Sequence, residues 1–131
     1  MRCLLLALAL TTGCSMGTRA RAYPPALDPA GRLVQVNLNQ RLIDGELLAV
    51  SDTGLLLLQQ RQVILVKYSV ISNSIFEDLP PSVVVRNREP PSAPVREQLR
   101  LASRFPQGVT PERLQVLLLA YGQDSLKVFG P

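Results

Sequence analysis

"VQVNLNQRLIDGELLAVSDTGLLLL", residues 34–58, is the stretch whose periodicity decides the fold. Val34, Val36 and Leu38 alternate with Gln35, Asn37 and Asn39. A period of two sends alternate side chains to opposite faces, so Arg32–Asn39 reads as a half-buried β-strand. Arg41–Val50 follows directly, with Gly45 inside its apolar pattern. A glycine there weakens a flat strand but permits a bulge or sharp bend, which a small barrel needs in order to close. Ser51-Asp52-Thr53-Gly54 is a turn signal, in which Asp52 is expected to bond its own backbone. Leu55–Gln60 then reads as a third strand. Leucine, glutamine and arginine also favour helix, so a helix through Gly54–Val66 is the competing reading. The preceding turn and the cluster Val63-Ile64-Leu65-Val66 favour strands.

Moving outward, Gln62–Tyr68 is a β-branched fourth strand, and Ser72–Leu79 and Ser82–Val85 supply one or two short ones. Together these segments resemble the first sequence motif of Sm-like small barrels, over Leu33 to about Phe76. That motif alternates apolar residues, places a glycine in the second strand, then an aspartate, then an apolar third strand; Gly45 and Asp52 fall on its marked positions. The resemblance implies a small SH3-like or Sm-like β-barrel over residues 32–86. It does not extend to RNA binding. The asparagine that follows the aspartate in Sm proteins is absent from Ser51–Leu58, and their arginine-glycine pair is replaced by Lys67-Tyr68.

Residues 87–94 are rich in proline and mark a linker. Beyond it Val95, Leu99, Ala102 and Phe105 fall at i, i+4, i+7 and i+10, one face of a helix that Ser92 could cap. Pro106 and Gly108 stop that helix. Thr110 can cap a second one, with Pro111 at its first position and Glu112 near its positive end. Leu114, Leu117, Leu118 and Tyr121 share one face of the second helix, and Val116, Leu119 and Ala120 leave little polar surface elsewhere. This helix should therefore be buried on more than one side. Residues 95–122 thus read as a helical hairpin, and the tail, 123–131, is unassigned. The fold class is α+β. A barrel this small is marginal alone, so the hairpin is expected to cover one side of it; the alternative is a true linker and a hairpin docked on a partner.

The start of the chain concerns location. Met1-Arg2 is a positive opening and Cys3–Leu10 a continuous apolar run. Eight helical residues rise only about 12 Å against the roughly 30 Å of a bilayer core, so the run suits a cleavable signal rather than a span. Leu10-Thr11-Thr12-Gly13-Cys14 resembles the lipobox of bacterial lipoproteins. The resemblance implies a signal peptide at 1–13 and a diacylglyceryl group on Cys14, usually with a further acyl chain such as palmitate on the new N-terminus. Each buried methylene contributes about 0.8 kcal/mol, so two or more chains hold firmly. With Ser15 rather than aspartate after Cys14, the resemblance further implies the outer membrane, facing the periplasm, over the inner. A plain secretory signal and an apolar cytosolic start are the competing readings. Residues 14–31 would be a lipidated flexible tether, or else an arm lying on the domain through Tyr23 and Leu27.

The chain has two cysteines, Cys3 and Cys14; cleavage would remove one and lipidation consume the other, leaving no thiol. It has no histidine, which removes the commonest general base and metal ligand. The 14 basic and 10 acidic residues give a net charge of +4, scattered singly rather than in blocks, and the chain has no tryptophan. Nucleic-acid binding and stacking platforms are therefore disfavoured. Asp44 and Glu46 share a strand face, which makes a paired-carboxylate site conceivable, but they read as the solvated side of the barrel. No catalytic residue, cofactor or metal is expected. The sequence points to a non-catalytic, membrane-anchored module that binds or scaffolds an envelope protein, with Leu117, Leu118 and Tyr121 as candidate partner-binding residues. The alternative is a small-molecule or lipid binder using an apolar cleft between barrel and helices.

Overall fold

The structure, a computed structural model, describes residues 30–131. The expected signal peptide and Cys14 lie outside the described residues, as does the tether up to residue 29. Six strands form one sheet: β1 (Leu33–Leu38), β2 (Arg41–Val50), β3 (Gly54–Gln59), β4 (Gln62–Lys67), β5 (Asn73–Phe76) and β6 (Lys127–Phe129). Two helices, α1 (Ala93–Ala102) and α2 (Pro111–Ala120), lie between β5 and β6 in the chain. The sheet order is β5-β1-β2-β3-β4-β6. All pairs are antiparallel except β4 with β6, which is parallel. The sheet curls enough that Arg41, at the start of β2, lies 5.0 Å over the ring of Phe129 on the far edge strand. It is nevertheless not closed: β5 and β6 end the row without pairing to one another.

The expected alternation holds in β1, where Val34 and Val36 are buried between exposed neighbours. β3 reads instead as a continuous leucine run, and the reason is burial on both faces. Leu55 and Leu57 enter an inner cluster with Val34, Val36, Ile43, Leu47, Ile64, Val66 and Phe76. Leu56 enters an outer cluster with Leu48, Val63 and Leu118. A strand covered on both sides has no polar face to display.

A bulge in β2 sets this two-sided arrangement. Leu47 pairs with Leu57 and Ala49 with Leu56, so Leu48 is an extra residue. The extra residue shifts the face parity, and Leu48 and Ala49 both turn to the outer cluster. The sequence placed the irregularity at Gly45; that glycine does a different job. A Cβ on it would stand 2.8 Å from the Leu58 carbonyl oxygen, so the absence of a side chain permits close approach of β2 and β3.

The two helices dock on the sheet from opposite sides. α1 buries Leu99 in the inner cluster, with Val95 against its margin. α2 buries Leu118 in the outer one, with Leu114, Leu117 and Tyr121 around it. The expected hairpin covering one side is thus replaced by two covers on two faces. The connection between them passes beside the bulge, where Arg104 N donates to Leu47 O at 3.0 Å and Val109 N to Leu48 O at 3.0 Å. These carbonyls lie past the last β1–β2 pair, Leu33 with Glu46, and are satisfied by the chain that crosses them. Thr110 caps α2 as expected, its hydroxyl accepting from Arg113 N at 3.3 Å. Ser92 occupies the cap position of α1 but makes no side-chain cap bond. The linker is tied at its start, Asn87 N donating to Ser72 O and Arg88 N to Ile71 O.

Beside β5 and beside β4 the chain supplies partners from distant segments. Ser82–Val85 is not a strand; the Ser74 hydroxyl takes both main-chain groups of Val85, donating to its oxygen at 2.9 Å and accepting from its nitrogen at 2.8 Å. On the other edge the Gln123 side chain does the same for Val63, at 2.6 and 3.0 Å. β6 then pairs with Ile64, Leu65 and Val66. The edge of β4 is thereby covered from Val63 to Val66, and the short strands β5 and β6 end the row. No described helix is long and apolar enough to cross a membrane.

Candidate interaction surface

Among the described residues, α2 covers the outer face of the sheet over β2–β4 only, and none of them covers it over β5, β1 and the first half of β2. Register lays this bare part out in rows. Gln35 lies between Ile75 and Asp44, and Asn37 lies between Asn73 and Leu42. Leu33 lies opposite Glu46, and its carbonyl accepts from Glu77 N at 2.9 Å. Partners across an antiparallel pair point the same way, so these side chains share the outer face. Three of them are large, apolar and exposed: Leu33 at 57%, Leu42 at 59% and Ile75 at 63%. Between them runs a groove of about 480 Å³, lined by Leu33, Gln35, Asp44, Ile75 and Glu77 over the backbone of Val34 and Gly45.

The acidic residues around this face divide into two kinds. Glu46 is gripped by Arg104 through two bonds, Nε to Oε1 at 2.8 Å and Nη2 to Oε2 at 2.7 Å. Gly31 N adds a third bond to Glu46 Oε1 at 2.8 Å, so the last residue of the expected tether is tied to the sheet. With side chains only 12% and 14% exposed, this pair is structural. Glu46 is therefore not the solvated carboxylate that the alternation suggested, nor one half of a free acid–base pair with Asp44. Asp78 is likewise paired, to Arg32 at 3.4 Å. Asp44 and Glu77, which border the groove, have no ion-pair partner among the described residues.

Asp52 does not make the turn that was expected of it. Ser51 does so instead, its Oγ accepting from Gly54 N at 3.0 Å and donating to Gly54 O at 2.9 Å. The Asp52 carboxylate reaches Arg96 on α1 at 3.1 Å. Tyr68, 2% exposed, donates to Ser51 O at 2.7 Å and closes this corner. Burial pushes its phenol pKa above 10.0, while the positive charge of Arg96 pulls the other way.

The residues expected to bind a partner pack, wholly or in part, against the sheet. Leu118 is buried against the sheet, and Leu117 and Tyr121 pack around it, Tyr121 also lying under Arg61 at 5.8 Å. The apolar residues of α2 that face outward are Val116 and Leu119, 64% and 79% exposed. The helix is thus buried on one side, not several. Among the described residues no group of three His, Cys, Asp or Glu could hold a metal ion. The sheet groove was missed in the sequence because its rows exist only once β5 has returned to pair with β1. The one local signal was Leu33, a leucine on the polar side of its strand. The chain matches no family model, no curated protein and no solved structure.

Proposed function

We propose that this protein is a bacterial lipoprotein, acylated at Cys14, whose domain serves at the periplasmic face of the outer membrane as a non-catalytic protein-binding or scaffolding module. The observation that carries the binding role is the half-covered sheet: α2 shields one half of the outer face, and Leu33, Leu42 and Ile75 stand exposed on the other. Large apolar side chains gathered on one bare face are the usual mark of a protein contact. In this reading the five antiparallel strands curl into a small SH3-like or Sm-like barrel, with α1 over its inner side. A lipid or small-molecule site has less in its favour. The groove lies on the strands rather than between sheet and helices, with Leu33 and Ile75 exposed beside it, whereas such sites enclose most of their ligand.

Two measurements test the reading. Cys14→Ala should leave the chain uncut or release it from the membrane fraction, and the mature wild-type protein should be heavier than residues 14–131 by its acyl chains. A membrane-bound form of unmodified mass would overturn the anchor. A photo-crosslinking residue placed at Ile75 or at Leu119 in intact envelopes should join the protein to a discrete partner. The absence of any adduct from both positions would overturn the binding role.

A further inference from the structure

The protein-binding reading leaves the chemistry of the partner open, and the bare half of the sheet narrows it. The apolar lining of the groove comes from Leu33 on β1 and Ile75 on β5, both exposed. A carboxylate stands on either side, Asp44 from β2 and Glu77 just past β5. Exposed carboxylates are content in water, so their lack of a partner is no signal alone. Their placement is the signal. The neighbouring acids Glu46 and Asp78 are each neutralised by an arginine of this chain, and these two, beside the exposed leucine and isoleucine, are not. A surface that is locally acidic and apolar on a chain of net charge +4 is complementary to a cation carried beside an apolar group.

We propose that this groove receives a segment of a partner protein that presents an apolar side chain flanked by lysine or arginine. The apolar side chain would cover Leu33 and Ile75, and the cationic heads would reach Asp44 and Glu77 while their methylene stems lie along the groove. The same charges disfavour anionic lipid headgroups and phosphates, so this face would point away from an acidic membrane surface. Because the whole chain is cationic, attraction acts only at short range and would be screened within about 10 Å at 0.1 M salt. The proposal rests on the protein-binding reading and can fail separately from it.

The test uses the full chain in a neutral detergent and a fluorescent peptide of alternating lysine and leucine, read by anisotropy. A glutamate–leucine peptide of equal length serves as the counter-probe. The lysine peptide should bind and the glutamate peptide should not. Asp44→Asn with Glu77→Gln, isosteric changes at exposed positions, should weaken binding about tenfold, as the loss of two exposed ion pairs allows. Ile75→Ser should weaken it independently of salt, and Glu112→Gln on α2 should leave it unchanged. Equal binding of both peptides, no binding, or binding untouched by the groove variants would overturn the proposal. Self-association abolished by those same variants, without peptide binding, would assign the groove to a second copy and overturn it as well. In any of these cases an adduct formed at Ile75 or Leu119 in envelopes would still uphold the broader reading.

Discussion

At the scale of single residues, two polar contacts carry stability that can be measured. Arg104 binds Glu46 in a bidentate pair that is mostly hidden from solvent. Removing one partner strands the other charge, so Arg104→Met should cost about 2–3 kcal/mol in urea denaturation. Glu46→Met combined with Arg104→Met should recover part of that loss, since the stranded carboxylate is gone. Tyr68 offers a pH signature. Its phenol holds the proton more tightly in the folded chain than in the unfolded one, where the ordinary value is 10.0. Its stabilising effect is therefore complete below pH 10.0 and disappears as pH rises through the higher folded value. Tyr68→Phe should remove this part of the alkaline transition and, by deleting the bond to Ser51 O, lower stability at neutral pH by about 1 kcal/mol. A variant with the same alkaline profile as wild type would show that another group governs it.

At the scale of elements, what could be read in advance was what local pattern controls. β1 and β2 follow from alternation, and Pro111 behind Thr110 marks the start of α2. Elements whose backbone partner is distant were not legible. Ser82–Val85 has strand composition, yet a serine hydroxyl from β5 replaces its ladder. Lys127–Phe129, with only three residues, has no period to detect and becomes a strand because β4 offers a free edge. α2 looked apolar all round, and its sequence could not say which side would meet the sheet. Gly45 is the converse case, legible in kind but not in role. Gly45→Val would press a Cβ towards a main-chain oxygen that cannot move aside, and should destabilise by about 2–3 kcal/mol. Unchanged thermal stability of that variant would contradict the close approach of β2 and β3.

At the scale of the whole molecule, neither helix is an appendage. Leu99 is 0% exposed inside the inner cluster, and Leu118 is 5% exposed in the outer one. A chain stopped after Arg86 loses both covers, and burial lost at several such positions rivals the 5–15 kcal/mol total stability of an ordinary domain. It should show no cooperative melt by circular dichroism; a transition like that of the full chain would make the helices separable. The parallel edge strand adds a consequence in time. Strands β1 to β4 follow one another and pair through short turns, whereas Val63 and Gln123 are 60 residues apart. Closing so long a loop is slow, so the tail should join β4 after the meander has formed and detach before it breaks. The Val63 amide, which points at Gln123, should then exchange its hydrogen sooner than the amides bonded between β3 and β4. The sheet would open like a frayed ribbon, from one selvedge inward.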